Sequence, residues 1–484
     1  MRIKIATHKY NMRILLKTKR DYAVNKIGKM KLLDSNANKD SLVSIGFECL
    51  DRDMFNAEKC YAPLGLTGIK HARCQTGWVK CEKQKGVYDF AWLDSVSDNL
   101  AARGITPWFC VGYGNPLYMD NIPNAAAVGC VPTLYGKETL QAWKNYVRAL
   151  AEHFKSRVTH FEIWNEPDNA QFWHPAKPNA RQYAELVSVT GKILREVIPD
   201  CRIGGCVSGF YFDYIEQFAQ SISAGDIDFF TYHAYAKSPE NNYLENVKYI
   251  RRIFNEYGLG NVELWQGENG FPSWFPENHW LRPSGRGSER QQAVWQLRRY
   301  FLDASAGIKL SSFFQIADMW EKPYQMASEV RKKPAAHGIL NGLTYTPKKS
   351  FETLSRLANF FNGQLKPSDG YFRAGYPDEN EHGFLKMHFV FEKASRPVYA
   401  YYIPEDVEKE MGVKYGLWAD ISVIGFEKGL DDPVLIDMYS GDVYSIKPVH
   451  RCESTLKFEN LPYSDYPMVI CDRSAFAIEP DKQY

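Results

Sequence analysis

The sequence has no long apolar run, no marked excess of charge and no cysteine pair at metal-binding spacing. A membrane-spanning helix needs about 18 or more consecutive apolar residues, and none occur. The 59 Lys and Arg residues nearly balance the 57 Asp and Glu residues, so the net charge of +2 favours neither nucleic acid nor a membrane surface. None of the ten cysteines forms a CxxC pair, and no Cys/His cluster has zinc spacing. We therefore expect no metal, no cofactor, no nucleic-acid partner and no membrane partner.

The basic stretch 1–20 also lacks features of a secretory signal. It has neither a continuous apolar core nor a small-residue cleavage site. Several cysteines fall inside apolar, strand-like runs such as WFCVG and MVICD, where cysteine acts as a small hydrophobic residue. These features predict a reduced, cytoplasmic protein.

Eight short apolar runs alternate with helix-period segments between residues 42 and 345. The runs span 42–50, 68–74, 105–113, 158–164, 201–207, 227–235, 262–269 and 310–319. Near-continuous apolar runs are typical of parallel strands buried on both faces. A helix that ends at Gly363 follows the last run. The pattern predicts an α/β fold, a (β/α)8 TIM barrel over 41–363, with a doubly wound sheet as the alternative.

The pattern changes after the barrel. Residues 364–484 contain short strands separated by Gly, Pro and Asp turns, which predicts a C-terminal β-sandwich. The N-terminal segment 1–40, with the runs IKIA and RILLK, could add strands to this domain.

The stretch FEIWNEPDNAQFW (161–173) carries the first candidate catalytic group. An apolar strand leads directly into Asn165, Glu166 and Pro167. Proline has no N–H to donate, so the strand must end there. Strand ends of this kind form the face on which barrel enzymes hold their catalytic residues. Glu166 is therefore a candidate general acid/base.

A second carboxylate, Glu268, ends the seventh apolar run in VELWQGENG. Retaining cleavage of a glycosidic bond needs one acid to protonate the leaving oxygen and one carboxylate to attack the anomeric carbon. Glu166 and Glu268, after the fourth and seventh strands, would supply that pair. Gly267 and Gly270 are expected to leave room beside Glu268 for a sugar ring.

The residues at 161–168 match the pattern F-E-x-W-N-E-P-[DN], which resembles the acid/base signature of clan A glycoside hydrolases, family 39 in particular. That family contains β-xylosidases and α-L-iduronidases. Its signature begins with Trp, where this chain has Thr159. The resemblance implies a barrel with a β-sandwich, Glu166 as acid/base and Glu268 as nucleophile.

The same resemblance implies supporting roles for five further residues. Asn165 would bind the sugar 2-hydroxyl, and Tyr235 would steady the nucleophile. Arg73 would bind near Glu268 and keep it ionised. His233 would lie beside the site and Trp320 beneath the sugar, although each could instead be an ordinary core residue.

These observations predict a retaining glycoside hydrolase of exo-acting, β-xylosidase-like specificity that acts on a carbohydrate. A β-glucosidase, a β-galactosidase or an endo-glycosidase on the same scaffold remains an alternative, as does an inactive carbohydrate-binding barrel. Assembly into a homo-oligomer is left open. Long loops at 114–136 and 271–290 could close the cleft into a pocket. Polar residues near other strand ends that could bind sugar hydroxyls are Glu48, Asp51, Asn115, Asp318 and Glu321.

Overall fold

The computed structural model describes residues 24–275, 281, 287–319, 335–363, 365–375, 387–423 and 426–480. The chain divides into two compact units. One is Leu32–Gly363, and the other combines Met1–Lys31 with Gln364–Tyr484. Residues 32–40 therefore belong to the first unit. Leu33 N–H donates there to Asn359 Oδ1 at 2.7 Å.

The first unit is a closed barrel of eight parallel strands in chain order. Strand β1, Val24–Met30, belongs to the other unit. The barrel strands are β2 Val43–Gly46, β3 His71–Gln75, β4 Thr106–Val111, β5 His160–Ile163, β6 Arg202–Val207, β7 Phe229–His233, β8 Glu263–Asn269 and β9 Ser311–Phe313. Strand β9 pairs with β2 and closes the barrel. The predicted (β/α)8 barrel is confirmed.

The strands are shorter than the apolar runs that predicted them. The first run extends to residue 50, yet the ladder of β2 stops at Gly46. Phe47 and Glu48 beyond it are still buried, because Phe47 packs on the rings of Phe55 and Tyr61 and Glu48 binds Arg73. Burial therefore continues past the last ladder hydrogen bond, and hydrophobicity alone overestimates strand length.

Helices follow or precede the strands as the pattern predicted. Their bounds are Glu58–Gly65, Trp78–Cys81, Ala91–Ala101, Lys137–Phe154, Ala180–Val197, Phe212–Ser221, Tyr243–Glu256, Glu289–Ser305 and Lys349–Phe360. Short 3₁₀ turns lie at Leu50–Arg52, Pro132–Leu134, Ala170–Phe172 and Arg473–Ala475. In Lys137–Phe154, Trp143, Val147 and Leu150 are fully buried at the spacing of an amphipathic helix. Within the described ranges, no helix is long and apolar enough to cross a membrane.

An aromatic layer fills the interior of the barrel. Trp108, Phe229, Trp265 and Leu310 form a buried cluster, in which the rings of Phe229 and Trp265 stack with centroids 4.0 Å apart. The guanidinium of Arg73 lies over the Trp108 ring at 5.6 Å. The charged guanidinium of Arg73 is therefore in direct contact with the aromatic layer.

The second unit contains two antiparallel sheets. The further strands are β10 Leu365–Pro367, β11 Phe372–Gly375, β12 Met387–Lys393, β13 Arg396–Tyr402, β14 Lys414–Ser422, β15 Pro433–Asp437, β16 Asp442–Ile446, β17 His450–Cys452, β18 Thr455–Tyr463, β19 Met468–Asp472 and β20 Ile478–Pro480. One sheet has the order β10-β12-β13-β19-β15-β16-β1-β20 and the other β11-β14-β18-β17.

The two sheets pack face to face. The Phe372 ring of one sheet stacks on Tyr399 and Tyr401 of the other, with centroids 5.7 and 5.8 Å apart. Tyr399 Oη also donates to the Ser422 carbonyl at 2.6 Å. This confirms the predicted β-sandwich. The runs IKIA and RILLK lie outside the described residues.

A buried carboxyl, Asp303, binds the first residue of β9. It accepts hydrogen bonds from Tyr243 Oη and Ser311 Oγ, each at 2.5 Å. Burial, opposed by the charge of Arg299, raises the pKa of Asp303 to about 6. The folded state therefore binds this proton more tightly than the unfolded chain does.

We expect the stabilisation from protonated Asp303 to be complete below about pH 4 and lost as the pH rises to about 6. The free energy of unfolding of wild type relative to Asp303→Asn should thus fall by about 3 kcal/mol over that range. Denaturant unfolding of both proteins between pH 4 and pH 7 measures this difference. A difference that does not change with pH would contradict the prediction.

Candidate active site

One guanidinium, that of Arg73 in β3, lies fully buried at the carboxyl end of the barrel strands. Its Nε donates to Glu162 Oε2 at 2.6 Å, and its Nη2 donates to Asn165 Oδ1 at 2.9 Å. Its Nη1 donates to two carboxyl groups, Glu48 Oε2 at 2.5 Å and Glu268 Oε1 at 2.6 Å. Arg73 therefore joins side chains from β5 and β8 and from the segments that follow β2 and β5.

Glu268 in β8 is surrounded by groups that favour its ionised form. Tyr235 Oη donates to Glu268 Oε2 at 3.0 Å, and His233 Nδ1 lies 3.6 Å from the same oxygen. Burial by itself would raise the pKa of Glu268. The charges of His233 and Arg73, with hydrogen bonds from neighbouring side chains, instead lower this pKa to about 2. Glu268 is therefore a carboxylate at neutral pH.

Glu166 faces Glu268 from the segment after β5. The backbone of both Trp164 and Glu166 is left-handed, with φ of 72° and 47°, which is uncommon outside glycine and marks a sharp turn at the strand end. His233 Nδ1 lies 2.8 Å from Glu166 Oε1, and Asn169 Nδ2 donates to Glu166 Oε2 at 3.1 Å. The turn thus presents the Glu166 carboxyl at the rim.

His233 lies between the two glutamates. Burial alone would lower the pKa of its imidazole, but the charge of Glu268 and the contact with Glu166 raise this pKa above its ordinary value. One carboxyl oxygen of each glutamate and one ring nitrogen of His233 all lie within 4.8 Å of one another. The three groups are therefore close enough for the protonation state of each to affect the other two.

Gly267 precedes Glu268, and its missing side chain has a structural purpose. A Cβ at Gly267 would stand 3.0 Å from His233 Nε2 and 3.0 Å from Thr231 Cβ. A Cβ at Gly270 would stand 2.6 Å from the carbonyl oxygen of Phe314. The prediction that these glycines leave room for a sugar ring is wrong, because protein atoms occupy both spaces.

A cleft of about 580 Å³ opens beside Glu166 and beside His233 and Tyr235, the two residues that contact Glu268 from this side. Its lining residues are Glu166, Asn169, Gln171, Phe172, Ser208, Gly209, Phe210, Tyr211, His233, Ala234, Tyr235, Phe314 and His337. Phe314 directly follows β9, and its ring centroid lies 5.8 Å from that of His337. The walls are thus largely aromatic, as in sites that accept flat apolar faces of ligands.

The structure brings together six of the seven residues that the sequence singled out, and the seventh, Trp320, lies outside the described residues. The six are Glu166, Glu268, Asn165, Arg73, His233 and Tyr235. An aromatic residue that sequence reasoning missed, Phe314, lines the cleft after the eighth barrel strand.

Sequence reasoning also missed Glu162. Its Oε2 accepts from Arg73, and its Oε1 accepts a short hydrogen bond of 2.5 Å from Thr231 Oγ1. A signal was present, because a carboxylate within an apolar strand needs a buried partner.

Two of the other strand-end polar residues already have partners in the protein. Asn115 Nδ2 donates to the Glu82 carbonyl at 2.8 Å. Asp318 accepts from Lys348 Nζ at 2.6 Å. The predicted contacts of these two with sugar hydroxyls therefore gain no support, and Glu321 lies outside the described residues.

Two groups of side chains have the spacing of metal ligands. They are Glu162 with Cys206 and His233, and Glu166 with His233 and Glu268. In the first group the Arg73 guanidinium is bound to Glu162 and would repel a cation. In the second, His233 Nδ1 is already bound to Glu166 at 2.8 Å. The geometry therefore fits proton chemistry better than metal binding.

The barrel sequence matches a known family. Residues 59–279 match the family model described as glycosyl hydrolases family 39. A curated β-xylosidase of Geobacillus stearothermophilus is 27% identical over 180 residues, which are 34% of this chain and 34% of the relative. The match therefore spans about a third of the length of that relative.

Solved structures share the fold. A family 39 glycoside hydrolase from Bacteroides cellulosilyticus has a TM-score of 0.63 and 16% identity, covering 92% of this chain and 82% of its own. A family 39 β-xylosidase from Caulobacter crescentus has a TM-score of 0.57 and 16% identity, covering 94% and 98%. With the matched family model and the curated relative, these findings make the chain most similar to the glycosidases of family 39.

Proposed function

We propose that the protein is a retaining glycoside hydrolase in which Glu268 is the nucleophile and Glu166 the general acid/base. One observation carries the proposal: an oxygen of the Glu166 carboxyl, which lines an open cleft, lies within 4.8 Å of an oxygen of the Glu268 carboxyl. Carboxyl groups of retaining enzymes stand about 5–5.5 Å apart, whereas inverting enzymes need about 6.5–9.5 Å to admit a water. The short separation favours double displacement.

In the first step, Glu268 attacks the anomeric carbon while Glu166 gives its proton to the glycosidic oxygen. The bond to the leaving group breaks, and a covalent ester forms between the sugar and Glu268. Glu166 becomes a carboxylate as its proton leaves. His233 Nδ1, at 2.8 Å, then stabilises the new charge by donating to it.

In the second step, the Glu166 carboxylate removes a proton from water, and the resulting oxygen attacks the anomeric carbon. The ester bond breaks and Glu268 leaves as a carboxylate. Arg73 and Tyr235, at 2.6 and 3.0 Å, already donate to its two oxygens. These contacts stabilise the departing charge.

Asn165 has an orientation suited to the sugar 2-hydroxyl. Its Oδ1 accepts from Arg73 Nη2, so the amide nitrogen must point away from Arg73. We propose that this N–H donates to the 2-hydroxyl, a contact that strengthens in the transition state.

The proposed substrate is a β-xyloside cleaved from a chain end. Support comes from the curated relative, which is named as a β-xylosidase. The loop 114–136 contacts the segment that carries the cleft residues Gln171 and Phe172: His174 N–H donates to the Gly129 carbonyl at 2.7 Å, and Val131 N–H donates to the His174 carbonyl at 3.0 Å. Much of the loop 271–290 lies outside the described residues. β-Glucosides, β-galactosides and endo action remain alternatives.

We also propose a cytoplasmic location. All ten cysteines are free thiols, and nine of them are buried. Thiols in this number suit a reducing compartment.

The two glutamates should respond differently to removal. Glu268→Ala should abolish turnover, and added azide should restore it by forming a glycosyl azide of opposite anomeric configuration, because azide fills the space of the nucleophile. Glu166→Ala should lower kcat/KM by about 10²- to 10⁴-fold for poor leaving groups and spare activated ones. Nitrophenyl glycosides of graded leaving-group pKa measure both effects. Identical behaviour of the variants across leaving groups would show that the roles are wrongly assigned.

A panel of nitrophenyl glycosides tests the substrate. We expect the highest kcat/KM with the β-D-xyloside and lower values with the β-D-glucoside, β-D-galactoside and α-L-arabinoside. A single hydroxymethyl changes binding by only about 1–3 kcal/mol, so residual activity on the glucoside is expected. Product analysis on oligosaccharides should show single sugars released from one end. Activity restricted to internal bonds would overturn the exo assignment and leave the two glutamates in place.

The leaving group should lie on the Glu166 side of the cleft, where Tyr211 is 62% exposed. Tyr211→Ala should lower kcat/KM for an aryl glycoside about 3- to 10-fold through lost ring stacking. It should not change kcat/KM for the glycosyl fluoride, whose leaving group has no aromatic ring to stack on Tyr211. Tyr371→Ala, at a tyrosine that is 57% exposed in the other unit, is the matched control. Equal losses on both substrates would rule out an aglycone contact.

A further inference from the structure

We propose that Glu48 is a protonated third carboxyl of this site, which donates a hydrogen bond to Glu268 and acts as a positioning residue for the nucleophile. The role in catalysis rests on the function proposed above for Glu268. The protonation of Glu48 does not, because it follows from the charges and contacts of the resting protein.

The first argument is the balance of charge around Arg73. Three carboxyl groups, those of Glu48, Glu162 and Glu268, contact this single guanidinium at 2.5–2.6 Å. The side chains of Arg73, Glu48 and Glu162 are at most 1% exposed, so water screens them little. If all three carboxyl groups were ionised, the Arg73 guanidinium would have to compensate three anions at once in a buried space. A proton on one carboxyl relieves that repulsion.

The number of donors indicates which carboxyl holds the proton. Glu162 accepts from Arg73 and from Thr231. Glu268 accepts from Arg73 and Tyr235.

Glu48 has weaker support as an anion. Its Oε2 accepts from Arg73, and its buried Oε1 has no hydrogen-bond partner among the described residues. Glu48 is thus the least stabilised of the three as an anion.

The second argument is the shared donor. Arg73 Nη1 lies 2.5 Å from Glu48 Oε2 and 2.6 Å from Glu268 Oε1, so these two carboxyl oxygens are neighbours. Two ionised oxygens so placed repel each other, whereas a proton on one of them makes a hydrogen bond. Burial and the charge of Glu268 raise the pKa of Glu48 well above its ordinary value, although Arg73 opposes the rise.

The neighbouring groups are consistent with a neutral Glu48. Among the described residues, titratable side chains that also interact with Glu48 include Cys49, Cys74, Cys110, Glu162 and Tyr235. Burial raises the pKa of each of the three thiols, so they stay neutral and add no cation. The pKa of Tyr235 is likewise raised well above its ordinary value by burial. An ionised Glu48 would therefore have to share the positive charge of Arg73 with Glu162 and Glu268.

The backbone beside Glu48 provides space for its carboxyl. A Cβ at Gly46 would stand 2.9 Å from Glu48 Oε1. Glycine at this position lets the carboxyl fold back against β2 with Oε2 directed at Arg73. A neutral, hydrogen-bonded Glu48 keeps Glu268 ionised and holds its Oε1 in place. The same hydrogen bond stabilises Glu268 when the second step releases it as a carboxylate.

Infrared difference spectroscopy of the resting protein at neutral pH tests the proton directly. The carbonyl band of a protonated carboxyl should be present in the wild type and absent from Glu48→Gln. Glu166→Gln serves as the control. The band assigned to Glu48 should remain in this variant, and any band lost from it belongs to Glu166. The proposal is overturned if Glu48→Gln loses only an ionised carboxylate band.

Kinetics with a dinitrophenyl glycoside, which needs little acid assistance, tests the positioning role. Glu48→Gln retains an N–H donor and should keep most of kcat. Glu48→Met, of similar length without a donor, should lose about 10- to 100-fold in kcat with a smaller change in KM. Equal losses in both variants would exclude the hydrogen bond. If the wild type cleaves no glycoside, the proposed function fails, and the infrared result still decides the state of Glu48.

Discussion

The site depends on one buried cation shared among several acids. The Arg73 guanidinium donates hydrogen bonds to the carboxyl groups of Glu48, Glu162 and Glu268 and to the amide oxygen of Asn165. Burying a charge is costly unless it is paired and hydrogen-bonded. The guanidinium and its carboxyl partners can therefore be buried only together. Removal of the cation would leave carboxylates uncompensated in the interior. The positions of the surrounding strand ends follow from this requirement.

The barrel separates this charged layer from an apolar one. Trp108, Phe229 and Trp265 fill the interior beneath it, and Arg73 lies over the Trp108 ring at 5.6 Å. The aromatic layer excludes water from below, which strengthens every electrostatic contact above it. The open cleft then lies on the remaining side. This order of layers places a carboxylate of low pKa, Glu268, close to Glu166, which lines the cleft.

Much of the fold and part of the site could be predicted from the sequence. Parallel strands buried on both faces produce apolar runs, and the motif after the fourth run and the glutamate of the seventh indicated Glu166 and Glu268. Periodicity shows which way a side chain points and not which partner it meets, so the contacts of Glu162 were missed. Phe314 was missed because it lies one residue beyond β9, where the alternation of side chains along a strand no longer shows which way a residue points.

Strand β1 has a consequence for how the sandwich must form. It lies between β16 and β20 in the larger sheet. In the chain, however, β1 comes before all the barrel strands, whereas β16 and β20 come after them. Contacts between residues so distant in sequence are slow to form, since a very long loop must close first. The barrel can assemble from neighbouring segments during synthesis, whereas the larger sheet cannot be completed until its last strands have been made. The second unit is therefore the late-folding part of the protein, and a fragment beginning at β10 would lack an internal strand.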